Sequence, residues 1–267
     1  MKIMILNSSG NVGKTTITSL FAERLASTKI IEVETVNKGN SEVKGLDVYK
    51  HNAKDDFSVA YEQLVMNENV IVDIGASNLG NFVDKMQEYS GIESFFDVFV
   101  IPSTPDEKIQ TDTFKTVNFL RELGVEDDKI KVVFNRIKTN LESDYAMLLN
   151  APFPFNKTIA IRETALFKEL GFLRMTSTEV FNEDINYYLQ FMLKAKEPQD
   201  KAKNLKLDLT NKMLHKFKDD FDYVFSEVTN LKPEISASKK KVGEEPTKTK
   251  TKENIEEVTE DVTEEEF

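Results

Sequence analysis

Short, continuous apolar runs recur along the first ~160 residues, and between them apolar positions return at intervals of three and four. The runs are KIMIL (2–6), IIEVETV (30–36), VIVDI (70–74), FDVFVIP (96–102), IKVVFN (130–135) and KTIAI (157–161). An unbroken apolar run of this length reads as a strand covered on both faces. The intervening patterns predict helices over 15–26, 57–66, 82–88, 106–123 and 144–149. Strand and helix therefore alternate, with short links, and the expected fold is an α/β, doubly wound, mostly parallel sheet. LDVYKH (46–51) reads as either a further strand or a loop.

From residue 178 to about 230 the strand signals stop and the chain reads as helices, with a break at Pro198. Leu214, Phe217, Phe221, Val224 and Val228 recur at spacings of three and four and form one apolar stripe. That stripe either packs on the α/β core or presents a surface to a partner. Beyond Pro233 the composition turns to Lys, Glu, Thr, Ser and Pro, too poor in apolar residues to offset chain entropy. The expected organisation is a nucleotide-binding α/β domain over 1–196, a helical extension over 197–230 and a disordered charged tail over 231–267.

Composition narrows the chemistry. The 267 residues contain no cysteine and two histidines, so disulfides and thiolate sites are excluded and any metal is expected to sit among oxygen ligands. No basic, apolar and small-residue leader opens the chain, and no apolar run approaches the ~18 residues of a membrane span. The expectation is a soluble cytoplasmic protein. A formal net charge of −11 argues against the whole chain coating nucleic acid, while leaving room for a local basic face.

The candidate chemistry lies in NSSGNVGKTT (7–16), between the first strand and the first helix. In a phosphate-binding loop, successive backbone N–H groups and a helix N-terminus point at the anion. Lys14 would reach the terminal phosphates, and the Thr15 hydroxyl would enter a magnesium shell. The strict G-x-x-x-x-G-K-[ST] pattern is broken, because Ser8 stands where its first glycine belongs. Asp73, at the end of VIVDI, supplies the strand-end acid that such a site needs for its magnesium. An aspartate in that position can equally cap the turn that follows.

These residues resemble the ParA/MinD group of deviant P-loop ATPases, whose loop reads K-G-G-x-G-K-[ST]-[ST]. Within that group SGNVGKTT looks most like the StbB-type plasmid stabilisation proteins. The resemblance spans roughly residues 1–190. It implies ATP and Mg²⁺ as ligands, with phosphate held by Gly10, Asn11, Val12, Gly13, Lys14, Thr15 and Thr16, and Mg²⁺ by Thr15 and Asp73. FVIPSTPDEKIQTDTF (99–114) looks like the group's strand ending in proline and serine ahead of an aspartate-started helix. VVFNRI (132–137) resembles its late strand, which nominates Asn135 and Arg136 at the nucleotide base. Lys14, Glu34 and Asp73 are the implied catalytic set.

Two departures matter. Where the group carries a D-x-D-like pair whose second acid orients the attacking water, IIEVETVN offers Glu32 and Glu34. The longer glutamate side chain displaces the carboxylate, and a misplacement of ~1 Å can cost about a hundredfold in rate, so hydrolysis is expected to be slow. The second departure is Ser9, which stands where the group has a lysine that reaches a partner subunit's phosphates. The chain then either dimerises differently, borrows a cation such as Arg136 or one from a partner, or uses nucleotide mainly as a binding switch.

The implied function is a nucleotide-dependent switch in plasmid or replicon stability, partition or positioning. A homodimer and a DNA-binding adaptor protein are the expected partners, with a nucleoid or plasmid association. Eight lysines between Lys194 and Lys218 make direct DNA binding conceivable, but they alternate with Glu197, Asp200 and Asp208 as a mixed solvated face would. In the tail, lysines dominate 239–252, and 253–267 holds eight acids and no base, either as a solvated extension or as a segment that docks on a basic groove. Two other functions fit the same core: an ATP-dependent small-molecule ligase of the dethiobiotin-synthetase-like type, and a non-hydrolysing nucleotide-bound scaffold.

Overall fold

A computed structural model describes residues 1–33, 45–52, 57–88 and 91–234. Its central strand, β1 (Lys2–Ile5), shows why the first run carries no polar alternation: Ile3 and Ile5 enter the core on one face of the sheet, Met4 and Leu6 the core on the other. β2 (Lys29–Val33), β3 (Asp47–His51), β4 (Val70–Ile74), β5 (Val98–Ser103), β6 (Ile130–Ile137) and β7 (Ala160–Arg162) complete a seven-stranded sheet in the order β3-β2-β4-β1-β5-β6-β7. Every pairing is parallel. LDVYKH is thus a strand, at one edge.

Helices cover both faces. α1 (Lys14–Ala22), α7 (Leu166–Leu173), α8 (Ser177–Val180), α9 (Tyr187–Lys194) and α10 (Pro198–Thr229) supply one core. The other is supplied by α2 (Phe57–Met66), α3 (Leu79–Glu88), α4 (Glu107–Glu122), α5 (Leu141–Asp144) and α6 (Ala146–Leu149). This is a doubly wound, parallel α/β architecture. Among the described residues no helix is long and apolar enough to cross a membrane.

The apolar stripe of α10 lies inward. Leu214, Phe221, Val224 and Val228 are buried in the core beneath α1, and Phe217 packs against it. Phe225, which the stripe did not include, meets Phe21 of α1 edge to face at 5.5 Å. Arg24, just past α1, donates from Nε to Asp222 at 2.8 Å and from a terminal nitrogen to the Leu20 carbonyl at 2.9 Å. The stripe is therefore core and not a partner surface.

Local chemistry explains where the elements depart from the apolar runs. Asn156 accepts from both the amide and the hydroxyl of Thr158, which turns the start of KTIAI out of the ladder and leaves β7 only three residues. The pattern over 144–149 breaks at Tyr145, whose hydroxyl is drawn between the carbonyls of Ser103 and Asn135. Pro198 opens α10, where the lack of an N–H costs nothing. The α7 segment had no assignment in the sequence pattern, and α8 falls where the helical stretch was expected to begin. Glu34 and residues 235–267 of the charged tail lie outside the described residues.

Candidate functional site

The 7–13 loop leaves β1 at its C-terminal end, between β4 on one side and β5 on the other. This is the switch point of the sheet, where connections depart in opposite directions and a crevice opens. Gly13 takes a left-handed conformation at φ 97° and Asn11 another at φ 58°. Left-handed residues turn consecutive N–H groups toward a common centre. Gly13 is also the N-cap of α1 and offers no capping side chain, so the first-turn amides of that helix are left for an anion.

Gly13 is required sterically as well as conformationally. A Cβ there would lie 2.5 Å from the Asn135 amide nitrogen, which donates to the Val12 carbonyl at 2.9 Å. The Asn135 oxygen accepts from the Arg136 amide at 2.9 Å. Asn135 thus braces the loop from β6, and Arg136 is exposed beside it. The sequence nominated both for the nucleotide base. The structure gives Asn135 a loop contact and places Arg136 at the same rim.

Lys14 is only 8% exposed, and its ammonium donates to the carbonyls of Ser9 at 2.7 Å and Asn7 at 3.2 Å. The cation is therefore held inside the loop it would share with a phosphate. Asn7 fixes the start of the loop: its amide donates to the Pro102 carbonyl and the Thr113 hydroxyl, and its oxygen accepts from the Ser9 amide. Ser9, the position without the expected lysine, donates its hydroxyl to Asp112 on α4 at 2.8 Å. That bond, with Lys108 and Lys115 on either side, holds the Asp112 carboxyl below its ordinary range. Asn7, Asp112 and Thr113 were not found by sequence reasoning, since nothing in their spacing says that α4 packs beside the loop.

Asp73 sits opposite Ile5 on β4 and is 4% exposed. Its neighbour in register on β2 is Glu32, at 2% exposure. Two carboxyls thus lie side by side under the loop, and Glu32 is a buried group of the site instead of a solvated strand-end charge. Burial pushes the Asp73 carboxyl up to about 7; the Glu32 charge adds to this, and Thr15, Lys14 and Thr18 pull it down. Thr18 Oγ1 is buried beside it without a hydrogen bond of ordinary geometry.

A pH dependence follows. Asp73 is neutral in the folded protein and ionised in the unfolded chain between about 3.8 and about 7. Its contribution to stability is fully present below the lower value and is lost as pH rises through the upper one. Urea unfolding of the ligand-free protein is expected to show stability falling across that window, and Asp73→Asn to remove this part of the slope.

Oxygen donors fit a hard cation: the Thr15 hydroxyl and the Asp73 carboxyl face each other, with the unsatisfied Thr18 hydroxyl close by. No group of three or more acids and histidines that could cage a metal exists among the described residues. A cation that keeps most of its waters and takes only one or two protein ligands, as Mg²⁺ does, is the kind a threonine–aspartate pair can hold. Thr16 is half-buried in the first turn of α1, while Gly10 and Asn11 are exposed at the mouth.

The sequence matches no protein-family model and no curated protein. Among solved structures it is similar to the MinD cell division protein of Aquifex aeolicus, at 16% identity over 80% of this chain and 97% of that one, with a TM-score of 0.46. It is similar also to the ATP complex of a Cyanothece McdA variant, at 14% identity over 67% and 89% of the chains and a TM-score of 0.42. A ParA family ATPase from Chlorobium tepidum shares 12% identity over 86% and 97%, with a TM-score of 0.44.

Proposed function

We propose that this chain is a ParA-like ATP-binding protein in which ATP and Mg²⁺ at the 7–16 loop act as a switch with slow hydrolysis. The observation that carries the reading is the convergence of Lys14, Thr15 and Asp73 at the switch point of the sheet, beneath an uncapped helix N-terminus. Lys14, now on the loop carbonyls, would meet the terminal phosphates, and the loop and first-turn amides would receive phosphate oxygens. Thr15 and Asp73 would hold Mg²⁺, which when bound neutralises charge between the phosphates. Asn135, which braces the loop, and Arg136 beside it would meet the base, and Glu34 would orient the attacking water.

Ser9 supplies no cation to a neighbouring active site, so hydrolysis waits on a positive group from a homodimer mate or a partner. That requirement makes the bound state long-lived and suits assembly control better than rapid turnover. A DNA-binding adaptor would then couple this switch to a plasmid or other replicon, as the resemblance to StbB-type proteins implies.

Turnover with Mg²⁺, measured alongside oligomeric state in ATP and in ADP, tests this reading. The expected kcat is below the ~1 s⁻¹ low end of ordinary enzymes, with self-association in ATP. Asp73→Ala is expected to weaken the Mg²⁺ dependence, and Glu34→Ala to lower turnover at least about tenfold while sparing ATP affinity. Unchanged turnover in the Glu34→Ala protein removes that residue from the mechanism.

A further inference from the structure

The outward face of α10 is not that of an ordinary solvated helix. Opposite its buried stripe, Lys201, Leu205, Leu209, Lys212 and Lys216 follow one another at spacings of four, four, three and four, on one line along the helix. Leu205 is 44% and Leu209 49% exposed. Further around the helix Lys206 Nζ sits 3.1 Å from the centre of the exposed Phe172 ring of α7. The line is an apolar centre flanked by cations, of which Lys212 also donates to the buried Asp208 of the same helix at 2.7 Å. This is the arrangement that receives an acidic amphipathic helix.

The same chain carries a segment of that kind. In 253–266 the apolar residues Ile255, Val258 and Val262 recur at three and four, so a helix would place them on one face; six of the eight acids lie off that face, and Glu265 and Glu266 follow it at its C-terminal end. Its charge is opposite to that of the α10 face, and its apolar stripe matches Leu205 and Leu209 in kind.

Reach permits the contact. The described chain ends at Glu234, whose amide donates to the Arg24 carbonyl and so is tied down near the end of α1. From Thr229 back to Leu205 is roughly 36 Å along the helix at 1.5 Å per residue. Residues 235–252 span up to roughly 60 Å when extended, so they cover that distance without strain.

We propose that residues 253–266 dock in cis on the outward face of α10, with Ile255, Val258 and Val262 against Leu205 and Leu209 and the acids toward Lys201, Lys212 and Lys216. The docked segment keeps those lysines from other anions until it is displaced. The contact is independent of what the phosphate loop binds.

The test uses the full chain, as a mixture of light and isotopically heavy protein. Zero-length carbodiimide cross-linking should join acids of 253–266 to Lys201, Lys212 or Lys216 within one isotopic species. Amine labelling of those three lysines should be about threefold or more faster in the Val258→Asp, Val262→Asp double variant, since an intramolecular contact at millimolar effective concentration is lost there. Salt at ~0.5 M should have the same effect. Heavy-to-light cross-links overturn the proposal in favour of a second copy as the occupant. Equal labelling in variant and wild type, with no such cross-links, overturns docking altogether.

Discussion

Lys14→Ala is expected to lower ATP affinity by at least about a hundredfold, read by calorimetry in Mg²⁺, while leaving the fold cooperative. The magnitude comes from removing a buried, hydrogen-bonded cation that faces phosphate, which costs about 2–5 kcal/mol. In the free protein this ammonium serves two loop carbonyls, those of Asn7 and Ser9. Its loss therefore also relaxes the loop, and the two effects separate by melting. A fall in ATP affinity without a comparable fall in the ligand-free unfolding free energy assigns Lys14 to phosphate. If both fall together, the lysine is a structural brace and the binding reading loses its main residue.

Phe225→Ala is expected to destabilise the protein by about 3–5 kcal/mol, the usual range for emptying a buried phenylalanine site. For a chain of this size that lowers Tm by roughly 10 °C. Phe225 is fully buried, and its ring meets Phe21 of the helix that begins at the phosphate loop. α10 is 32 residues long and passes over this core as one uninterrupted helix, so it has little freedom to collapse into the cavity. Lys203→Ala, on an exposed position of the same helix, is expected to change stability by no more than about 0.5 kcal/mol. Equal small effects from both substitutions contradict the placement of α10 as part of the core.

The legibility of this molecule in its sequence follows from how local each feature is. KIMIL and VIVDI declare themselves as buried strands because both faces of those strands are covered, while the pairing of the two that brings Asp73 beside the loop shows only in the fold. The loop is local too, since Gly13, Lys14 and Thr15 are consecutive. Asp106 capping Ile109 could be read from the strand end at Ser103, as the aspartate-started helix expected there. What escaped was set by tertiary neighbours. Asp112 reads as one more helix-surface acid until α4 lies against Ser9, and Glu32 reads as a strand-end charge until β2 and β4 are in register. β7 is short because of one asparagine turn, which apolar periodicity does not report. The three-and-four spacing of α10 identified the helix face, but only the packing under α1 decided that it was core.

The central claim is that the 7–16 loop binds ATP with Mg²⁺, and isothermal calorimetry of the full-length protein with ATP and Mg²⁺ tests it most directly. The account predicts one ATP per chain with a Kd below about 1 mM, abolished by Lys14→Ala and weakened when Mg²⁺ is withheld. A folded protein that takes up no ATP at millimolar concentration contradicts it.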